Sequence, residues 1–157
     1  MPGNATFRYR NTSVLSVTHI EAPVRVPSTR FEERLAATRK RLRIPRNMLE
    51  RISGVVERRW WKSDTRFDDP AIEAGAKAIA EAGVDPGLVG LVVNTSVTRQ
   101  HLEPSVAVRI HHELSLPSSA MNFDIANACL GFVNGMMLAA TMIDAGQIDY
   151  AIIVNSE

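Results

Sequence analysis

Between Asp124 and Asp144 the chain carries no charged residue. Within that window, CLGFVNGMMLAATMI places apolar or small side chains around the whole circumference of a helix, leaving it no solvent-facing side. A helix of that kind is buried on all sides or lies in a membrane. The window approaches the ~20 residues a membrane span requires. However, Asn127 and Asn134 interrupt it, and strand-like runs flank it, AMNFDIA before and YAIIVNS after. A strand–helix–strand unit lays its helix against a sheet, so burial in protein is the expectation. The chain's own sheet covers one side. The other side calls for a second layer that this chain is not expected to contain.

The neighbouring segments fit the same plan. LVGLVVNTS is a continuous apolar run of strand length, as in a strand buried on both faces. Asp69 and Pro70 start a helix, AIEAGAKAIAEA, that ends at Gly83, and Pro104 starts another, PSVAVRIHHEL. A helix is expected from Cys129 to Ala145. The alternation predicts a parallel sheet with helices on both faces and functional loops at the carboxyl ends of its strands. Asn94 to Glu103 and Asn127 to Cys129 occupy two such ends and are expected to share one site.

The first third is less regular. Residues 7 to 18 (FRYRNTSVLSVT) are rich in β-branched and aromatic types and read as a strand, followed by an extended loop at Pro23 and Pro27. STRFEERLAATRKRL reads as one helix, with Thr29 and Glu32 as a capping box. MLERIS reads as a short helix and GVVERRWW as a short strand or hairpin arm.

Composition narrows the setting. A single cysteine forms no internal disulfide, which points to a reducing cytoplasm and away from secretion. The arginines crowded between residues 39 and 66 come without the aromatic spacing of a nucleic-acid motif. They read as a solvated face, with a phosphate-bearing ligand as the alternative.

That cysteine lies where a buried strand turns into a helix. There the positive end of the helix dipole and free backbone N–H groups favour a thiolate and can receive an oxyanion. One short turn thus offers both nucleophile and transition-state stabilisation. Free cysteine is also among the most buried residue types, so geometry alone leaves catalysis and core packing both open.

The residues around it narrow the choice. FDIANACLGF (residues 123 to 132) resembles the nucleophile segment of the thiolase superfamily, and its pattern of Asp124, Ala128, Cys129, Gly131 and Phe132 is similar to 3-oxoacyl-acyl-carrier-protein synthase III. VNTSVTR (93 to 99), HLEPS (101 to 105) and DIANACLGFVNGM (124 to 136) together resemble the olefin-biosynthesis condensing branch, which joins two fatty acyl chains head to head. The resemblance implies a thiolase-like α/β fold. Residues 1–157 would form the N-terminal half of a five-layer αβαβα architecture, with the Cys129 helix in the central layer.

It further implies that Cys129 is S-acylated by a first acyl-CoA. Glu103 would be the base for the second acyl chain, reaching across a homodimer interface. The alternative for Glu103 is a carboxylate stabilised by the dipole of the following helix. No metal and no redox cofactor are implied, since CoA arrives with the substrate. Two departures stand out. Where synthase III holds the CoA adenine with tryptophan and arginine, this chain has Met48 and Ile52, with Arg51 one residue out of register, so those contacts do not carry over and Arg58 is only a candidate for a CoA contact. The superfamily's active-site histidine and asparagine belong to the C-terminal half, and His19, His101, His111 and His112 read as structural or exposed. A decarboxylating synthase III and a non-catalytic thiolase-like subunit are the rival readings.

Overall fold

A computed structural model describes residues 6–157. The chain divides into two units, Glu21–Thr65 and Arg66–Glu157, the latter together with the segment up to Ile20.

In the smaller unit, β1 (Val24–Pro27) pairs antiparallel with β2 (Glu57–Trp60), setting Val24 opposite Trp60 and Pro27 opposite Glu57. Three short helices lie between them: α1 (Ser28–Arg34), α2 (Ala36–Arg41) and α3 (Met48–Ser53). The expected strand at residues 7 to 18 is absent, and β1 falls in the stretch read as a loop. The single helix is broken at Leu35, and the Thr29–Glu32 capping box does not form. Pro27 occupies the N-cap position, and Glu32 pairs with Arg39 at 3.2 Å instead.

The larger unit is built as the alternation predicts. β3 (Val89–Asn94) is the central strand of a parallel sheet ordered β4-β3-β5, between β4 (Met121–Asp124) and β5 (Tyr150–Val154). Side chains alternate along β3. Val92 joins a core with Ala71 and Ile79 of α4 (Asp69–Ala82) and Val106 and Ile110 of α5 (Val106–Glu113). Leu91 and Val93 point the other way, against Ala139 and Met142 of α6 (Gly131–Asp144). Helices therefore cover both faces.

Residues 9 to 12 run along α6 as an irregular strap. The Tyr9 hydroxyl donates to Met137 O at 3.0 Å, the Thr12 hydroxyl to Ala140 O at 3.2 Å, and the Asp144 carboxylate accepts from the N–H groups of Arg10 and Asn11 at 2.7 Å each. This explains why the segment is not a strand: its polar groups find their partners on a helix. No helix among the described residues is long and apolar enough to cross a membrane.

Asp68 and Asp69, at the start of α4, do not cap the helix with their side chains. They hold Arg109 of α5 instead, with Asp68 at 2.6 Å and Asp69 at 2.7 Å, and Arg66 adds a second cation to Asp68. The Asp68 side chain is only 2% exposed. Burial pushes its carboxyl pKa up, but Arg66 and Arg109 outweigh that and hold it below its ordinary 3.8. A depressed folded-state pKa stabilises above the unfolded value, and the contribution disappears as pH falls through the folded one. Asp68→Asn should therefore cost about 1–3 kcal/mol at pH 7, with the gap closing below about pH 4. Urea unfolding at pH 7 and pH 3 checks this. An equal gap at both would assign the loss to packing rather than charge.

Candidate active site

The carboxyl ends of the three parallel strands are tied together by buried polar side chains. Asn94, Thr95 and Ser96 are at most 1% exposed. Burying such groups is tolerable only when they are hydrogen-bonded, and here each is. Asn94 donates to Asp124 at 3.2 Å, Ser96 Oγ donates to Asn94 Oδ1 at 2.7 Å, Ser156 N donates to Ser96 Oγ at 2.9 Å, and Thr95 Oγ1 donates to Val154 O at 3.0 Å. Asp124 also accepts from the N–H groups of Val106 and Ala107, both at 3.0 Å, and so caps α5. α5 begins two residues later than the expected start at Pro104. The carboxylate on those first-turn amides is that of Asp124, and Glu103 bonds to neither of them.

From β4 the chain passes through Ala128, whose φ of +43° lies in the left-handed region. Such a conformation in a non-glycine residue costs on the order of 1–3 kcal/mol and persists only where its surroundings impose it. Cys129 follows in a 3-10 turn, Ala128–Leu130, so α6 starts at Gly131 and not at the cysteine as expected. No side chain caps α6, which leaves its first-turn N–H groups without a side-chain acceptor next to the thiol.

Two glycines let α6 approach the sheet this closely. A Cβ at Gly131 would stand 3.0 Å from Thr95 O, and one at Gly135 would stand 2.9 Å from Thr95 Cγ2. The helix register that positions Cys129 is thus fixed by missing side chains rather than by present ones.

Cys129 is exposed, in an open cleft of about 410 Å³ lined by Val97, Ala128, Phe132, Asn155 and Glu157. The loops after β3 and β4 do share one site, as expected. The loop after β5 joins them, which sequence reasoning missed. Glu103 is exposed, does not line this cleft, and makes no hydrogen bond or ion pair among the described residues. Arg58 belongs to the smaller unit, where its guanidinium donates to Ser28 Oγ at 2.9 Å and lies 5.1 Å from the centroid of the Phe31 ring. His111 contacts Pro117 O at 3.0 Å, a structural role, and His101 is exposed.

Leu130 in the cysteine turn, and Phe132, Val133 and Met136 in the half of α6 nearest Cys129, are exposed. The strap bonds only from Met137 onward. One flank of the uncharged helix is therefore open, as its sequence implied.

This arrangement of parallel strands, close-packed helix and cysteine turn has counterparts among known proteins. The model of the thiolase N-terminal domain matches residues 56–157. The acyl-CoA:acyl-CoA alkyltransferase of Xanthomonas campestris is 41% identical over 95% of this chain and 44% of its own length, and that of Shewanella oneidensis is 39% identical over 96% and 43%. A β-ketoacyl-carrier-protein synthase III of Streptomyces glaucescens is 36% identical over 67% of this chain and 31% of its own length. Among solved structures, a variant of Xanthomonas campestris OleA matches with a TM-score of 0.89 at 41% identity over 95% of this chain and 44% of that one. Another, with bound lauric acid and lauroyl-CoA, matches with a TM-score of 0.89 at 40% identity over 96% and 44%. The chain spans under half the length of the curated relatives it matches. In fold and in sequence, from the sheet through the cysteine turn to β5, it belongs to the thiolase family through that family's N-terminal domain.

Proposed function

We propose that this chain carries the nucleophile half of an acyltransferase that joins two fatty acyl-CoA thioesters in a Claisen condensation, the first step of long-chain olefin or hydrocarbon biosynthesis. The observation that carries the proposal is an exposed cysteine on a constrained turn, facing a cleft formed by three strand-end loops. It stands in a chain 41% identical to an acyl-CoA:acyl-CoA alkyltransferase.

Cys129 attacks the thioester carbonyl of the first acyl-CoA, and the tetrahedral oxyanion collapses to expel CoA thiolate. The result is an S-acyl-cysteine. The positive end of the α6 dipole favours negative charge beside the thiol. In the second step Glu103, acting in a partner subunit's site, takes the α-proton of the second acyl-CoA. The carbanion attacks the S-acyl carbonyl and releases the Cys129 thiolate, leaving a β-keto acyl product. OleA has been solved as variants of a cysteine and of a glutamate separated in its sequence by the same number of residues as Cys129 and Glu103 here, which supports this pair. The C-terminal half of the fold supplies histidine and asparagine. Arg58 contributes a CoA phosphate contact, the reaction calls for no metal or redox cofactor, and a cytoplasmic homodimer is the working form.

Product analysis with the full-length protein tests this. Two long-chain acyl-CoAs alone should yield free CoA and a β-keto product with all carboxyl carbon retained. A requirement for malonyl-carrier protein, with release of carbon dioxide, would instead establish the decarboxylating synthase. Absence of any acyl adduct would establish a non-catalytic subunit.

A further inference from the structure

Glu157 follows β5 and turns its carboxylate into the loop that follows β3. Oε1 accepts from Val97 N at 2.6 Å, and Oε2 accepts from Thr98 N at 3.2 Å and from Thr98 Oγ1 at 2.6 Å. Three donors on one ionised carboxylate make a clamp of charge-assisted bonds, stronger than the neutral ones upstream in the same loop. Burial pushes its carboxyl pKa up, and the donors outweigh that, leaving it below its ordinary 4.5. The clamped residue Val97 and Glu157 itself both line the Cys129 cleft.

Upstream of the clamp the loop is anchored through Thr95 and Ser96 to the strand ends. Just beyond it, Gln100 accepts from Arg66 at 3.0 Å. From His101 to Pro104 the side chains are exposed. The clamp is therefore the most heavily bonded point before the Glu103 arm and, at the same time, part of the lining of the Cys129 cleft.

We propose that Glu157 is a positioning residue, whose grip on Val97 and Thr98 fixes the Val97 side of the Cys129 cleft and the origin of the Glu103 arm. The inference rests on the condensation reading. It assigns Glu157 to the second step, because Cys129 is held by its own turn and by the α6 glycines, whereas Glu103 makes no bond of its own among the described residues and takes its place from the loop that runs from this clamp, past Gln100, to the Asp124-capped start of α5.

The test uses Glu157→Gln and Thr98→Val in the full-length protein. Glutamine keeps the size but turns an amide donor toward donors, and valine removes one donor while leaving the carboxylate. Amide exchange at Val97 and Thr98 should lose protection in Glu157→Gln. Formation of the S-acyl adduct should stay within about threefold of the native rate, while condensation falls by roughly 10- to 100-fold, as displacement of a reacting group by about 1 Å produces. Thr98→Val should fall in the same step by a smaller factor. Unchanged amide protection, or equal loss of both half-reactions, overturns the proposal. If the native protein forms no adduct at all, it is the condensation reading that fails. An adduct that forms normally, with a Glu157→Gln protein that condenses at the native rate, sinks the Glu157 assignment alone.

Discussion

Cys129→Ser protein should show no mass increase when mixed with a long-chain acyl-CoA, whereas the native full-length protein should gain one acyl group at that residue. The thiol is the only cysteine of the chain and lies exposed in the cleft. The serine hydroxyl is a far weaker nucleophile, since no base among the cleft's lining residues is in hydrogen-bond contact with position 129. Condensation should fall on the order of a thousandfold or more. Glu103→Ala should behave differently, because the carboxylate is assigned only to the second substrate. The adduct should still form, and condensation should drop by roughly 10²- to 10⁴-fold, the usual worth of a positioned proton acceptor. An adduct on Cys129→Ser, or one mapping elsewhere, removes the nucleophile assignment. Equal loss of both steps in Glu103→Ala would make that residue a support of its loop.

The parts of the fold legible in the sequence are those whose signals are local. The apolar run of β3, the Asp-Pro start of α4 and the uncharged stretch of α6 each occupy consecutive residues, so period and punctuation suffice. The larger failures come from partners that the local pattern does not show. Residues 9 to 12 have strand-like composition, but their partners are carbonyls and a carboxylate on α6, far along the chain. Glu32 fits a capping box until Arg39 claims it. The site divides in the same way. Cys129 announced itself through its setting, while Asp124 and Glu157 act by accepting from backbone N–H groups distant in sequence, Asp124 at the start of α5 and Glu157 in the loop after β3. Backbone donors have no residue type, so no spacing rule reveals such a pair. Gly131 and Gly135 stood within a recognisable motif, yet only the approach of Thr95 explains why both positions lack a side chain.

Residues 1–157 produced alone should bind hydrophobic dye and self-associate through the thiol-side half of α6. Leu130 is 59% exposed, Val133 51%, Phe132 41% and Met136 38%, and they form one apolar flank beyond the reach of the residue 9 to 12 strap. Full burial of such side chains is worth about 1.5–3 kcal/mol each, so about half of that is forgone at each partly exposed position. Four such positions together approach the ~5–15 kcal/mol that holds an ordinary domain together. A cooperative melt is still expected, because the β3 core on the α4 and α5 side is complete and fully buried. A Val133→Lys, Met136→Glu double variant isolates the cause. In the isolated chain it should weaken dye binding and association without lowering the melting temperature, since both side chains already meet solvent. In the full-length protein the same pair should be destabilising by several kcal/mol, because there it would bury two charges in the layer that covers α6. Sedimentation and thermal melting of the four proteins decide the matter. A dye-silent monomer of residues 1–157, or a full-length protein indifferent to the two charges, would mean that no second layer packs on this helix.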